Sequence, residues 1–105
     1  MTPRKTRRRA RRTIWEHRRE KDFLVWDDLC AVASKLGIEV REEPFAEDTR
    51  SKGGLVRLGE KVMFIVDAEL PVSQKTLLLA RELRNRDTEA VSMQPYLRKI
   101  ITGEG

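Results

Sequence analysis

The chain has 105 residues, 37% of them charged and 39% hydrophobic, with one cysteine, one histidine and a formal net charge of +5. This length fits a single domain with a modest core, and a single thiol excludes an internal disulfide. No apolar run approaches the ~20 residues that cross a bilayer. The segment "TIWEHRREKDF" that follows the first arginines has no apolar h-region, so a secretory signal is not expected. Glu16, Glu20 and the scarcity of serine argue against a transit peptide. A lone cysteine suits a reducing compartment, and the expected location is cytoplasmic.

The charge is unevenly spread. Residues 1–21 hold ten Lys or Arg and two Glu, a balance of +8, whereas the other 84 hold twelve basic and fifteen acidic side chains, a balance of −3. The chain therefore reads as a basic N-terminal arm, residues 1–21, attached to a mildly acidic domain, residues 22–105. The arm has too few apolar side chains to pack a core. Like charges at i and i+4 oppose a helix over residues 1–13, which are expected to be disordered in isolation. From Ile14 onward a helical turn becomes feasible, with Ile14 and Trp15 as candidate anchors onto the domain.

The domain is expected to begin near Phe23. In "FLVWDDLCAVASKLG", Leu29, Val32, Ala33 and Leu36 recur at helical spacing. Asp27 and Asp28 suit the first turn of such a helix, where the dipole favours carboxylates, and Gly37 supplies its stop. Cys30 falls among the apolar positions, which favours a buried thiol over a reactive one. "IEVRE" alternates Ile38 and Val40 with charges and reads as a half-buried strand. Residues 44–54 read as a polar loop ending in Gly53-Gly54.

"LVRLGEKVMFIVD" predicts a hairpin turning on Gly59-Glu60, with glycine first as a type II′ turn requires. "VMFIV" is apolar throughout and is expected to be the central strand, covered on both faces. Pro71 and Ser73 open the next helix, "VSQKTLLLARELRNR", with Ser73 as its N-cap. Leu77, Ala80 and Leu83 form its buried stripe, with Thr76 and Leu79 beside it. "SMQPYLRKIITG" predicts a short terminal helix with Pro95 in its first turn and Gly103 just past its end. The expected fold class is α+β: a small antiparallel or mixed sheet of about three strands packed against helices.

Three stretches, "LCAVASKLGIEV", "GGLVRLGEKVMFIVDAELP" and "LLLARELRN", resemble the ImmA/IrrE family of zinc-peptidase-like domains over roughly residues 27–86. Members of that family carry Ala-His-Glu-Leu-Gly-His on a proline-initiated helix. In this resemblance Arg81 takes the first histidine position, Glu82 the glutamate, Leu83 the leucine, Arg84 the glycine and Asn85 the second histidine. A zinc site of this kind needs two imidazoles one turn apart, a third ligand and an open position for water. The guanidinium of Arg81 is permanently protonated and offers no lone pair, and the Asn85 amide is a poor replacement for imidazole. The only histidine, His17, lies in the arm. The resemblance thus implies a degenerate member with no metal, no cofactor, no catalytic residue and no enzymatic activity. Glu82 would be a general base without metal-bound water to activate. Read without the resemblance, the stretch is an amphipathic core helix, and Glu82 is a surface carboxylate paired with Arg86 or Lys75.

Other catalytic arrangements are not supported. "SKGGLVRLGEK" has glycines but not the spacing or the terminal Lys-Ser/Thr pair of a phosphate-binding loop. Cys30 and His17 fall on different segments, which argues against a nucleophile–base dyad. Glu42, Glu43, Glu47 and Asp48 read as a solvated acidic loop rather than a cation site.

The arm carries the strongest functional signal. Arg4, Lys5, Arg7, Arg8, Arg9, Arg11 and Arg12 form a dense cationic run suited to phosphate. Trp15 either stacks on bases, as aromatics among cations do in single-strand binders, or anchors the arm on the domain. No helix-turn-helix or zinc finger accompanies the run, so binding to RNA or DNA is expected to be backbone-driven and steeply salt-dependent. No apolar face accompanies the cations, and a membrane partner is not expected. The expected function is a non-enzymatic binding module whose arm contacts nucleic acid or an acidic partner and whose body holds a protein. The alternative is a protein-interaction or regulatory domain whose arm is only a solvated tail.

Overall fold

The computed structural model describes residues 14–103, with side chains from residue 20 onward. The expected disorder of residues 1–13 lies outside the described residues, as do the side chains of Ile14 and Trp15. In chain order the elements are α1 (Ile14–Lys35), β1 (Ile38–Glu43), β2 (Gly53–Leu58), β3 (Lys61–Asp67), α2 (Val72–Leu83) and α3 (Pro95–Thr102). The sheet is mixed, in the order β1-β3-β2, with β1 parallel and β2 antiparallel to the central β3. The architecture is α+β, as the patterning predicts.

Helix α1 begins nine residues before Phe23 and runs unbroken through the expected arm–domain boundary. Glu16 and Glu20 interrupt the run of cations, so the like-charge penalty eases there. The helix then extends back from its packed half at one hydrogen bond per residue. Asp27 and Asp28 consequently lie deep within the helix and not in its first turn. Asp28 instead accepts the Tyr96 hydroxyl at 2.5 Å, tying α1 to α3. Leu29, Val32 and Ala33 are buried as expected. Gly37, at φ 80°, ends the helix and lets the chain reverse into β1.

Alternation sorts the sheet into two faces. Ile38 and Val40 of β1, Leu55 of β2 and Val62, Phe64 and Val66 of β3 share the face on which the helices pack. There they join Trp26, Leu29, Val32 and Ala33 of α1, Leu79, Ala80 and Leu83 of α2, and Leu97 and Ile101 of α3. The opposite face carries Glu39, Arg41 and Glu43, then Met63 and Ile65, then Val56 and Leu58, and among the described residues no helix covers it. β3 is therefore central but covered by helices on one side only. Met63, between Glu39 and Val56 in register, is only 4% exposed, whereas Ile65 is half-buried.

Turns follow the glycines with one shift. Gly59 has φ 64°, and among the described residues no other residue type has positive φ, so Gly59-Glu60 closes the Leu58–Lys61 pair with the II′ geometry. Gly53 and Gly54 belong to β2 and not to the preceding loop. A Cβ at Gly53 would lie 3.3 Å from Val66 Cγ2, so the strand approaches the core closely there.

Helix α2 starts at Val72 with Pro71 as its N-cap, and the amides of Gln74 and Lys75 both donate to the Pro71 carbonyl, at 2.9 and 3.1 Å. Ser73 is therefore inside the first turn and caps nothing. The buried stripe is Lys75, Thr76, Leu79, Ala80 and Leu83. Leu77 stands about 100° around the helix from Thr76 and is 59% exposed, so it is not part of the stripe. α3 has Pro95 in its first turn and ends on Gly103 at φ 82°, as its sequence predicts. Among the described residues no helix is long and apolar enough to cross a membrane.

Candidate functional site

The five motif positions do not converge. α2 ends at Leu83, with Arg84 as its C-cap, so Asn85 has left the helix; its amide donates to the Glu82 carbonyl in a turn. Two ligands at i and i+4 share a helix face only while the helix continues, and here it stops short. Arg81 is exposed, Leu83 is fully buried in the core, and Glu82 is half-buried. Glu82 pairs with neither expected partner. Arg86 lies beyond the helix end, and Lys75 points to Glu42. Among the described residues no group of three His, Cys, Asp or Glu side chains could hold a metal ion.

Arg84, at the motif's glycine position, has a structural task that its sequence does not announce. Its Nε donates to the Ile101 carbonyl at 2.7 Å. That places a guanidinium on the C-terminal end of α3, where a cation is favoured by the helix dipole. The same guanidinium lies 2.9 Å from where a Cβ of Gly103 would sit, so that position is restricted by contact as well as by φ. Arg98 holds the α2–α3 connection in a similar way, donating to the carbonyls of Thr88 and Val91 at 3.3 and 2.8 Å.

A polar cluster joins α1, β1 and α2. Lys75 is 8% exposed, and its Nζ donates to Glu42 Oε1 at 2.5 Å. The other carboxylate oxygen accepts the Trp26 indole N–H at 3.4 Å. Glu42 lies on the helix-facing side of β1, which brings it to Lys75; its place in an acidic loop is thereby corrected. Glu43 likewise belongs to β1 and sits 3.7 Å from Arg41, while Glu47 and Asp48 are exposed loop residues. A buried carboxylate, Asp67, ends β3. Its Oδ1 accepts the amides of Phe45 and Glu69 at 3.4 and 3.0 Å, fixing two loops.

Cys30 is half-buried and lines an open groove beside this cluster. Burial first, then the charges of Glu42 and Asp27, push its thiol up from 9.0 to about 12. Alkylation by iodoacetamide at pH 8 is expected to be at least ~100-fold slower in the folded chain than in urea, since the thiolate is the nucleophile. The folded state holds a proton that the unfolded chain releases above about pH 9. Stability is therefore fully present below that value and declines as pH rises toward 12.

Of the residues read as contacting nucleic acid, Arg4, Lys5, Arg7, Arg8, Arg9, Arg11 and Arg12 lie outside the described residues. Trp15 lies in the first turn of α1, with its side chain outside them. No protein-family model, curated protein or solved structure matches the chain.

Proposed function

We propose that the chain is a non-enzymatic cytoplasmic binding module, a peptidase-like scaffold without metal ligands whose N-terminal arm engages nucleic acid. The observation that carries this reading is that an arm of net charge +8 joins the body through one continuous helix. The body then acts as a rigid base that presents the cations. Residues 14–21 contribute to a helical stem, while Arg4 to Arg12 supply the phosphate contacts.

The test is a salt titration of RNA and duplex-DNA binding. It compares the whole chain with one beginning at Ile14, which keeps α1 intact. If most of the seven cations from Arg4 to Arg12 reach phosphates, log affinity for duplex DNA is expected to fall with log salt at a slope of about −5 to −6. The shortened chain should lose most of that slope. Equal, weak binding by both would reject the nucleic-acid reading and leave the arm as a solvated tail on a protein-interaction domain.

A further inference from the structure

β1 is an edge strand. Among the described residues it pairs only with β3, so the N–H and C=O groups along its other side lack strand partners. That free edge forms one wall of a groove of about 660 Å³, with Trp26, Asp27, Cys30 and Ser34 of α1 forming the other. The two walls run side by side: Gly37 turns the chain from α1 into β1, and the Trp26–Glu42 hydrogen bond closes the far end. The groove is about 12 Å long, measured as the eight residues from Trp26 to Ser34, enough for about four extended residues.

Its charge is one-sided. Asp27, Glu39, Glu42 and Glu60 line it against Lys61 alone. Glu39 is engaged by Arg41 at 2.7 Å and by Lys61 at 3.7 Å, and Glu42 by Lys75. Asp27 and Glu60 have no hydrogen-bond or ion-pair partner among the described residues, so two carboxylates remain uncompensated beside an unpaired backbone edge.

We infer that this groove is the docking site for the first half of the chain's own arginine-rich segment, residues 4–8, which folds back and adds to the β1 edge. Reach permits it. The thirteen residues before α1 extend to about 43 Å, and Ser34 lies about 30 Å along the helix from Ile14. A segment returning from Ile14 passes Trp26 before Ser34 and so runs parallel to β1, the same sense in which β1 pairs with β3. At about 3.3 Å per residue only residue 8 and those before it get back to Trp26, about 18 Å along the helix from Ile14. In extended form Arg4 and Arg8 therefore face one side and Lys5 and Arg7 the other. Arg7 and Arg8 then lie at the Trp26 end, beside Asp27 and Glu42, and Arg4 and Lys5 at the Gly37 end, beside Glu39 and Glu60. Docked arginines are withheld from polyanions, so the groove sets the arm's availability. That consequence, though not the docking itself, rests on the function proposed above.

The test uses the whole chain and two variants. One replaces Arg4, Lys5, Arg7 and Arg8 with glutamine; the other combines Asp27→Asn with Glu60→Gln, at the two uncompensated carboxylates. The readout is the NMR signal of the Trp26 indole N–H and of the Val40 and Arg41 amides at low salt. Docking predicts that both variants shift these signals alike relative to the native chain. The differences should vanish in 1 M NaCl and be independent of protein concentration. The groove variant should also bind polyuridylate about 3- to 10-fold more tightly, because an internal competitor is removed.

Coincident spectra of native and arginine-depleted chains would overturn the docking, and the carboxylates then only guard an exposed strand edge. Differences that dilute away with concentration would also overturn it, in favour of a second copy supplying the segment. If the spectra behave as expected but polyuridylate does not bind, the docking stands and the nucleic-acid reading fails. Coincident spectra with arm-dependent polyuridylate binding would reject the docking and support the nucleic-acid reading.

Discussion

Truncating Leu83 to alanine is expected to lower the free energy of unfolding by about 2–5 kcal/mol, read as a shifted urea midpoint with unchanged slope. Leu83 is fully buried, near the end of α2, among the side chains that join this helix to α1, α3 and the sheet. Its deletion leaves a cavity that fixed neighbours cannot close. At the adjacent positions, Arg81→Ala, Glu82→Gln and Asn85→Ala should each stay within about 0.5 kcal/mol, since none has a side-chain partner among the described residues to lose. Arg84→Ala should fall between, because it removes the contact to the Ile101 carbonyl at the end of α3. This ordering separates a helix kept for packing from one kept for its polar residues. A silent Leu83→Ala, or a large effect at Glu82, would refute it.

The second large effect concerns the pair between Lys75 and Glu42. Glu42→Ala leaves an ammonium that is 8% exposed without a counter-charge. Breaking a fully buried pair costs about 3–5 kcal/mol. Here the Glu42 side chain is 43% exposed, so solvent screens part of the interaction and about 1–3 kcal/mol is expected. Lys75→Met removes the buried charge and keeps the length of the side chain, and it should change stability by no more than about 1 kcal/mol in either direction. The asymmetry is the diagnostic, and a double-mutant cycle would isolate the coupling. Equal losses from the two substitutions would mean that the pair contributes net stability rather than only relieving a buried charge.

The apolar period carried most of the fold. Leu29, Val32 and Ala33 in α1, Leu79, Ala80 and Leu83 in α2, and Ile38 in β1 are buried where periodicity puts them. Gly37, Gly59 and Gly103 mark three chain reversals, because positive φ is inexpensive only for glycine. Helix limits were less legible. The start of α1 depends on how far a packed helix propagates into charged sequence, and the end of α2 on a C-cap at Arg84. Neither is set by the residues at the boundary alone.

The residue types at Arg81 and Asn85 already argued against zinc ligation, since one offers no lone pair and the other no imidazole. The charge division between arm and body was equally plain from composition. Other features needed the folded chain. That β1 lies parallel to β3, leaving a free edge along α1, follows from a crossover that local sequence does not encode. Lys75 and Glu42 are 33 positions apart, and each looks like a surface charge until α2 packs against α1 and the sheet and buries one of them. Local pattern determines which side chains need burial. Only the packing of distant elements decides which charges meet and which edges remain open.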